Sequence, residues 1–117
     1  MPNPISIVEA GAFLRQVSAF LSEEEIDELK WHLALKPDDG VVVPGTGGVR
    51  KLRWAASGRG KRGGSRVIYF FHDDTIPLFL LAAYAKNAKT DLSEKEKAQL
   101  RRLVPILVSH YKPKANK

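Results

Sequence analysis

The chain has 117 residues, 44% apolar and 27% charged; this composition argues for one soluble globular domain, 1–117, with a modest core. The absence of cysteine excludes disulfides and thiolate metal sites and fits a reducing cytoplasmic setting. The N-terminus lacks the basic and apolar regions of a signal peptide, and the longest apolar run, Ile76–Tyr84, falls short of the roughly 20 residues a membrane helix needs.

The net charge of +6 is unevenly spread. Residues 1–40 carry three bases against eight acids, whereas residues 41–72 carry seven bases and no acid. An acid-free basic block in a mixed chain is a candidate polyanion-binding surface.

The alternation of Ile5, Ile7 and Glu9 predicts a short strand. Phe13, Val17 and Phe20 then line one face of a helix over Ala10–Phe20. Ser22 and Glu25 form a Ser-x-x-Glu capping box that opens a helix with Ile26, Leu29 and Leu33 on one face. That helix stops at Lys36-Pro37, because proline disfavours helix in the residue before it. Asp38-Asp39-Gly40 is a turn, Val41–Val43 a brief extended piece, and Gly45–Gly48 a glycine-rich turn without Walker spacing.

Val49–Ala55 alternates as a strand, with Lys51 and Arg53 on one face and Arg50, Leu52 and Trp54 on the other. Ser57–Ser65, with four glycines and three bases, is an exposed loop. Arg66–Phe71 is a strand rich in β-branched and aromatic residues, and Ile76–Tyr84 is expected to be the central strand, buried on both faces. Ser93 and Glu96 repeat the capping box before a last helix, which Pro105 should kink or split. Residues 112–117 form a polar tail expected to fray. The order β-α-α-β-β-β-α implies an α+β fold with two N-terminal helices packed on a small, curved, mainly antiparallel sheet, followed by a C-terminal helix.

If the three middle strands are consecutive neighbours, Lys51, Arg53, Arg66 and Lys86 can meet on one face, with Lys61 and Arg62 in the adjoining loop. Arginines hold phosphates through paired donors, and lysines act as mobile point charges. Tyr84 is positioned to stack on a base or bond a phosphate, with packing as the alternative; Tyr69 is expected in the core, and Trp54 is either core or a platform beside the basic face. The three histidines share no metal-ligand spacing, so neither metal nor cofactor is expected. No Gly-x-Ser-x-Gly elbow is present either. RNA supplies its own nucleophile, the 2′-hydroxyl, so a cationic cluster that aligns it with the adjacent phosphate and neutralises the phosphorane can cleave without a metal. A lysine among other cations can serve as the base in such a site. Ser22–Lys36 carries five acids against two bases, a poor surface for the DNA major groove.

Three segments resemble the RelE/HigB superfamily of toxins of type II toxin–antitoxin systems, in spacing its HigB-like branch: Gly45-Thr46-Gly47-Gly48-Val49-Arg50-Lys51-Leu52-Arg53, residues 58–70, and Leu81-Ala82-Ala83-Tyr84-Ala85-Lys86-Asn87 followed by Asp91-Leu92-Ser93. The resemblance implies a RelE-like fold and a metal-independent endoribonuclease that cuts mRNA at the ribosomal A site and so inhibits translation. It implies catalytic roles for Lys51, Arg53, Arg66 and Lys86, and RNA contacts from Arg50, Lys61, Arg62, Tyr84 and Asn87. The family's C-terminal catalytic tyrosine has no clear match, since Tyr84 precedes its usual place and Tyr111 lies beyond it. Implied partners are mRNA, the 70S ribosome and a cognate antitoxin, in HigA-like cases a helix-turn-helix protein through which alone operator DNA is met. A nonenzymatic RNA- or ribosome-binding module, or a degenerate toxin that retains antitoxin binding, is the alternative.

Overall fold

The computed structural model describes residues 5–54, 64–85 and 91–111. Its elements are β1 (Ile7–Glu9), α1 (Gly11–Val17), α2 (Glu23–Leu35), β2 (Val41–Val42), β3 (Val49–Trp54), β4 (Ser65–Phe70), β5 (Leu78–Ala85) and α3 (Glu94–Tyr111). The strands form one sheet in the order β1-β5-β4-β3-β2, antiparallel except where β1 runs parallel to β5. This is the α+β arrangement anticipated, with α1 and α2 on one face of the sheet and α3 on the other.

Each element begins where local chemistry starts it. Ser22 Oγ accepts the Glu25 amide and the Glu25 carboxylate accepts the Ser22 amide, so both halves of the capping box form. Ser93 and Glu96 repeat the exchange at the start of α3. Thr46, fully buried, donates to the Val43 carbonyl (2.7 Å) and accepts the Val49 amide (3.1 Å), which locks the glycine-rich turn between β2 and β3.

Two cores sandwich the sheet. Phe13, Val17, Leu29 and Leu33 pack on Leu52, Val67, Tyr69, Leu78, Leu80 and Ala83. On the other face Val104 and its helical neighbours pack on Val49, Ile68, Phe70, Phe79 and Leu81. Because both faces are covered, β4 and the first half of β5 are apolar almost without alternation.

Three expectations change. The middle strand is β4, not Ile76–Tyr84, because the three residues of β1 pair along the outer side of β5. Pro105 does not split α3, which runs unbroken from Glu94 to Tyr111. Its ring lies on the solvent side while apolar residues before and after it hold the helix to the core. The helix expected over Ala10–Phe20 ends at Val17, and Ser18–Phe20 form a turn in which the Phe20 amide reaches the Val17 carbonyl.

Candidate RNA-contact face

On the α3 side of the sheet, the side chains of β3, β4 and β5 fall into three rows across the strands. Val49, Phe70 and Phe79 form the first, Lys51, Ile68 and Ala82 the second, and Arg53, Arg66 and Tyr84 the third. The face therefore grades along the strands from apolar to cationic. α3 closes over the apolar end, where Val104 lies against Gly47 and Arg101 donates to the Gly45 carbonyl (2.8 Å).

A β-bulge makes the third row possible. Strict alternation from Leu78 would send Tyr84 to the α1 side, since Leu78 and Leu80 point there. The register instead jumps between Ile68 and Tyr69, so that Ile68 faces Ala82 while Tyr69 faces Leu80. The extra residue, Leu81, turns the rest of β5 over. Ala82 and Tyr84 consequently join Leu81 on the α3 side, and Tyr84 comes directly opposite Arg66.

Arg53 directly opposes Arg66. Facing residues in an antiparallel pair have Cβ atoms about 5 Å apart, and like charges there disfavour the sheet. A local conflict of this kind marks a place where sequence serves something other than stability. Arg53 is exposed, while Arg66 and Tyr84 are half-buried. The Arg66 guanidinium reaches the Ser65 carbonyl (3.4 Å), and Ser65 Oγ in turn donates to the Trp54 carbonyl (3.0 Å), which fixes the ends of β3 and β4. Gly64 enters β4 with φ of +58°, and a Cβ there would meet the Trp54 carbonyl oxygen at 3.2 Å. Only glycine suits that conformation and that approach.

One row closer to α3, Lys51 Nζ lies 3.2 Å from the Asp91 carboxylate, which also accepts the Leu92 amide (2.7 Å). These two contacts, the backbone one first, hold Asp91 below the usual carboxylate range. Burial pushes the Tyr84 phenol above its ordinary value; the negative charges of Asp91 and Glu96 push the same way, and Arg66 opposes them. Tyr84 is thus a neutral phenol at physiological pH, opposite Arg66.

Of the residues anticipated from sequence, Lys51, Arg53, Arg66 and Tyr84 share this face. Lys61, Arg62, Lys86 and Asn87 lie outside the described residues. Arg50 stands apart from the cluster. It faces the other side of β3, where its guanidinium donates to the carbonyls of Asp38 (3.1 Å) and Gly40 (2.7 Å) and so ties down the turn after α2. Trp54 shares Arg50's parity and packs against the α1/α2 core, 5.3 Å from the His32 ring, so it is no platform beside the basic row. Asp91 stands in a segment that carries the family resemblance but has no role in the sequence reading, because 40 residues separate it from Lys51. The available signal was a lone acid just ahead of a capping box in a basic stretch. Among the described residues no three His, Cys, Asp or Glu converge as a metal site.

Residues 38–116, about two thirds of the chain, match the family described as the RelE toxin of the RelE/RelB toxin–antitoxin system. The match begins at the turn that follows α2, so it takes in all of β2 to α3 and every residue of the cationic face.

Proposed function

The chain belongs to the RelE toxin family, and from that premise we propose that it is an endoribonuclease of the HigB-like branch that cleaves mRNA in the ribosomal A site. The observation that carries the reading is the row Arg53–Arg66–Tyr84 with Lys51 beside it, a surface on which like charges are forced together on rigid strands. Such a surface suits a phosphodiester better than it suits the fold.

Arg53 and Arg66 grip the scissile phosphate and neutralise the phosphorane formed when the neighbouring 2′-hydroxyl attacks. Lys51 exchanges its contact with Asp91 for a phosphate oxygen. Tyr84 enters protonated and donates to the departing 5′-oxygen. The Asp91 carboxylate, released as Lys51 turns to the phosphate, flanks the row as an acceptor for the 2′-hydroxyl proton. The family resemblance adds Lys86 to the catalytic cations and Lys61, Arg62 and Asn87 to the RNA contacts. The products are a 2′,3′-cyclic phosphate and a 5′-hydroxyl. No step is assigned to a metal or cofactor. A cognate antitoxin restrains the activity.

The chemistry is tested with an mRNA carrying a single 2′-deoxy nucleotide on the 5′ side of a mapped cut. The mechanism requires that cut to vanish while neighbouring cuts persist, with 5′-hydroxyl ends on the remaining fragments. Cleavage that survives the deoxy substitution, or 5′-phosphate ends, would exclude attack by the 2′-hydroxyl. RNA binding with no cleavage under any condition would make the protein a nonenzymatic binding module.

A further inference from the structure

α2 has a second apolar stripe besides the one it buries. Leu29 and Leu33 are fully buried, whereas Trp31 is 61% and Leu35 57% exposed. Glu24, Asp27 and Glu28 are exposed along the same outward side, since residues three and four apart on a helix are neighbours. Trp31 stands between two open grooves. One, of about 370 Å³, is lined by Ile5, Ile7, Ala34 and the stem of Lys30, whose ammonium is held by Glu9. The other, of about 520 Å³, runs past Glu24, Glu28 and Leu35, and Asp27 borders both.

The charges around Trp31 are not balanced locally. Lys30 is held by Glu9 (3.5 Å) and His32 contacts Asp39 (2.7 Å). Glu24, Asp27 and Glu28 make no ion pair among the described residues. The combination is an exposed indole between partly apolar grooves, rimmed by carboxylates. It repels nucleic acid and anionic membrane and suits a segment that brings apolar side chains for the grooves and guanidinium or ammonium groups for the rim and the indole face.

We propose that the Trp31 stripe of α2 is a docking surface for a basic amphipathic segment of a partner protein. The stripe is on the outside of the helical layer, whereas Lys51, Arg53 and Arg66 lie on the far face of the sheet. A partner seated there therefore leaves the cationic row uncovered. The inference stands on the charge and exposure of α2 and does not depend on the ribonuclease reading.

The test is a titration of the full-length ¹⁵N-labelled protein with three synthetic 16-residue peptides. One carries leucines at helical spacing with arginines between them, one replaces the arginines by glutamates, and one replaces the leucines by serines. The Arg/Leu peptide is expected to shift the Trp31 indole and α2 amide signals and to bind at least ten-fold more tightly than either control. Trp31→Ala, and separately the combined Glu24→Gln, Asp27→Asn and Glu28→Gln, should each weaken it at least ten-fold. All these side chains are exposed, and an unchanged amide spectrum away from α2 verifies folding. Equal binding by the three peptides, binding that leaves α2 signals in place, no binding, or indole shifts that follow protein concentration alone (a second copy on the stripe) would each overturn the proposal.

Discussion

The Tyr69 hydroxyl sits in the core of the protein, fully buried, and accepts the Gly40 amide at 2.7 Å. Arg50, its cross-strand neighbour, donates to the Gly40 carbonyl. Together they clamp the turn that returns the chain from α2 to the sheet. Tyr69→Phe leaves a buried amide without its acceptor and should destabilise the fold by about 1–3 kcal/mol in denaturant unfolding. Gly40→Ala should also destabilise, because a Cβ there would stand 2.8 Å from the Tyr69 oxygen. Both Tyr69 and Tyr84 have phenol values raised, chiefly by burial. A raised value means that the folded state holds its proton more tightly than the unfolded chain does. The resulting stability is therefore intact below about pH 10, the free tyrosine value, and is lost as pH rises through the folded values. Alkaline titration at 295 nm should show two tyrosines ionising later than free tyrosine, with unfolding accompanying their ionisation. Early ionisation of all three tyrosines would contradict this burial. Asp91 has the opposite sign, and its contribution fades only as pH falls below the usual carboxylate range.

Among the secondary elements, how much could be read in advance depended on whether the signal was local. Both capping boxes, the α2 boundaries and the β3–β4–β5 meander follow from residues a few positions apart, and all are present. So is the shared face of Lys51, Arg53 and Arg66, which needs only period-2 alternation and neighbouring strands. What could not be read depends on distant partners. The parallel pairing of β1 with β5 joins residues about 70 apart. The bulge at Leu81 is invisible in an apolar run, yet it decides which face Tyr84 occupies. Of the kink or split that Pro105 could cause, the split is absent: the ring is exposed, and the apolar face on either side holds α3 to the sheet. A proline in a helix interior remains costly relative to alanine, by about 3 kcal/mol in isolated helices. Pro105→Ala should therefore stabilise the protein by at least about 1 kcal/mol, seen as a higher Tm. A lower Tm would mean that the proline's geometry is required where α3 meets the sheet.

Across the protein, charge is sorted by layer. The acids of α2 face outward on one side, and Lys51, Arg53 and Arg66 lie on the other side of the sheet, while Arg50 points back to the turn after α2. α3 buries the apolar rows, and Arg53 in the cationic row is exposed. Polyanion binding through that row should fall steeply with added salt, as counterions are displaced from phosphates. Substituting Arg53 should weaken binding across RNA sequences alike, because the row offers phosphate contacts and few groups for reading bases. The measurement that bears on the whole account is primer extension on an mRNA in a reconstituted translation reaction, with and without ribosomes, comparing wild type with Arg66→Ala. Loss of one preorganised charge at the phosphorane should reduce cleavage by about 10²–10³-fold. Discrete cuts that require ribosomes and vanish in the variant, while its folding is unchanged, are the predicted result. Cuts that persist undiminished in Arg66→Ala, or none from folded wild-type protein over several codons and frames, would contradict it.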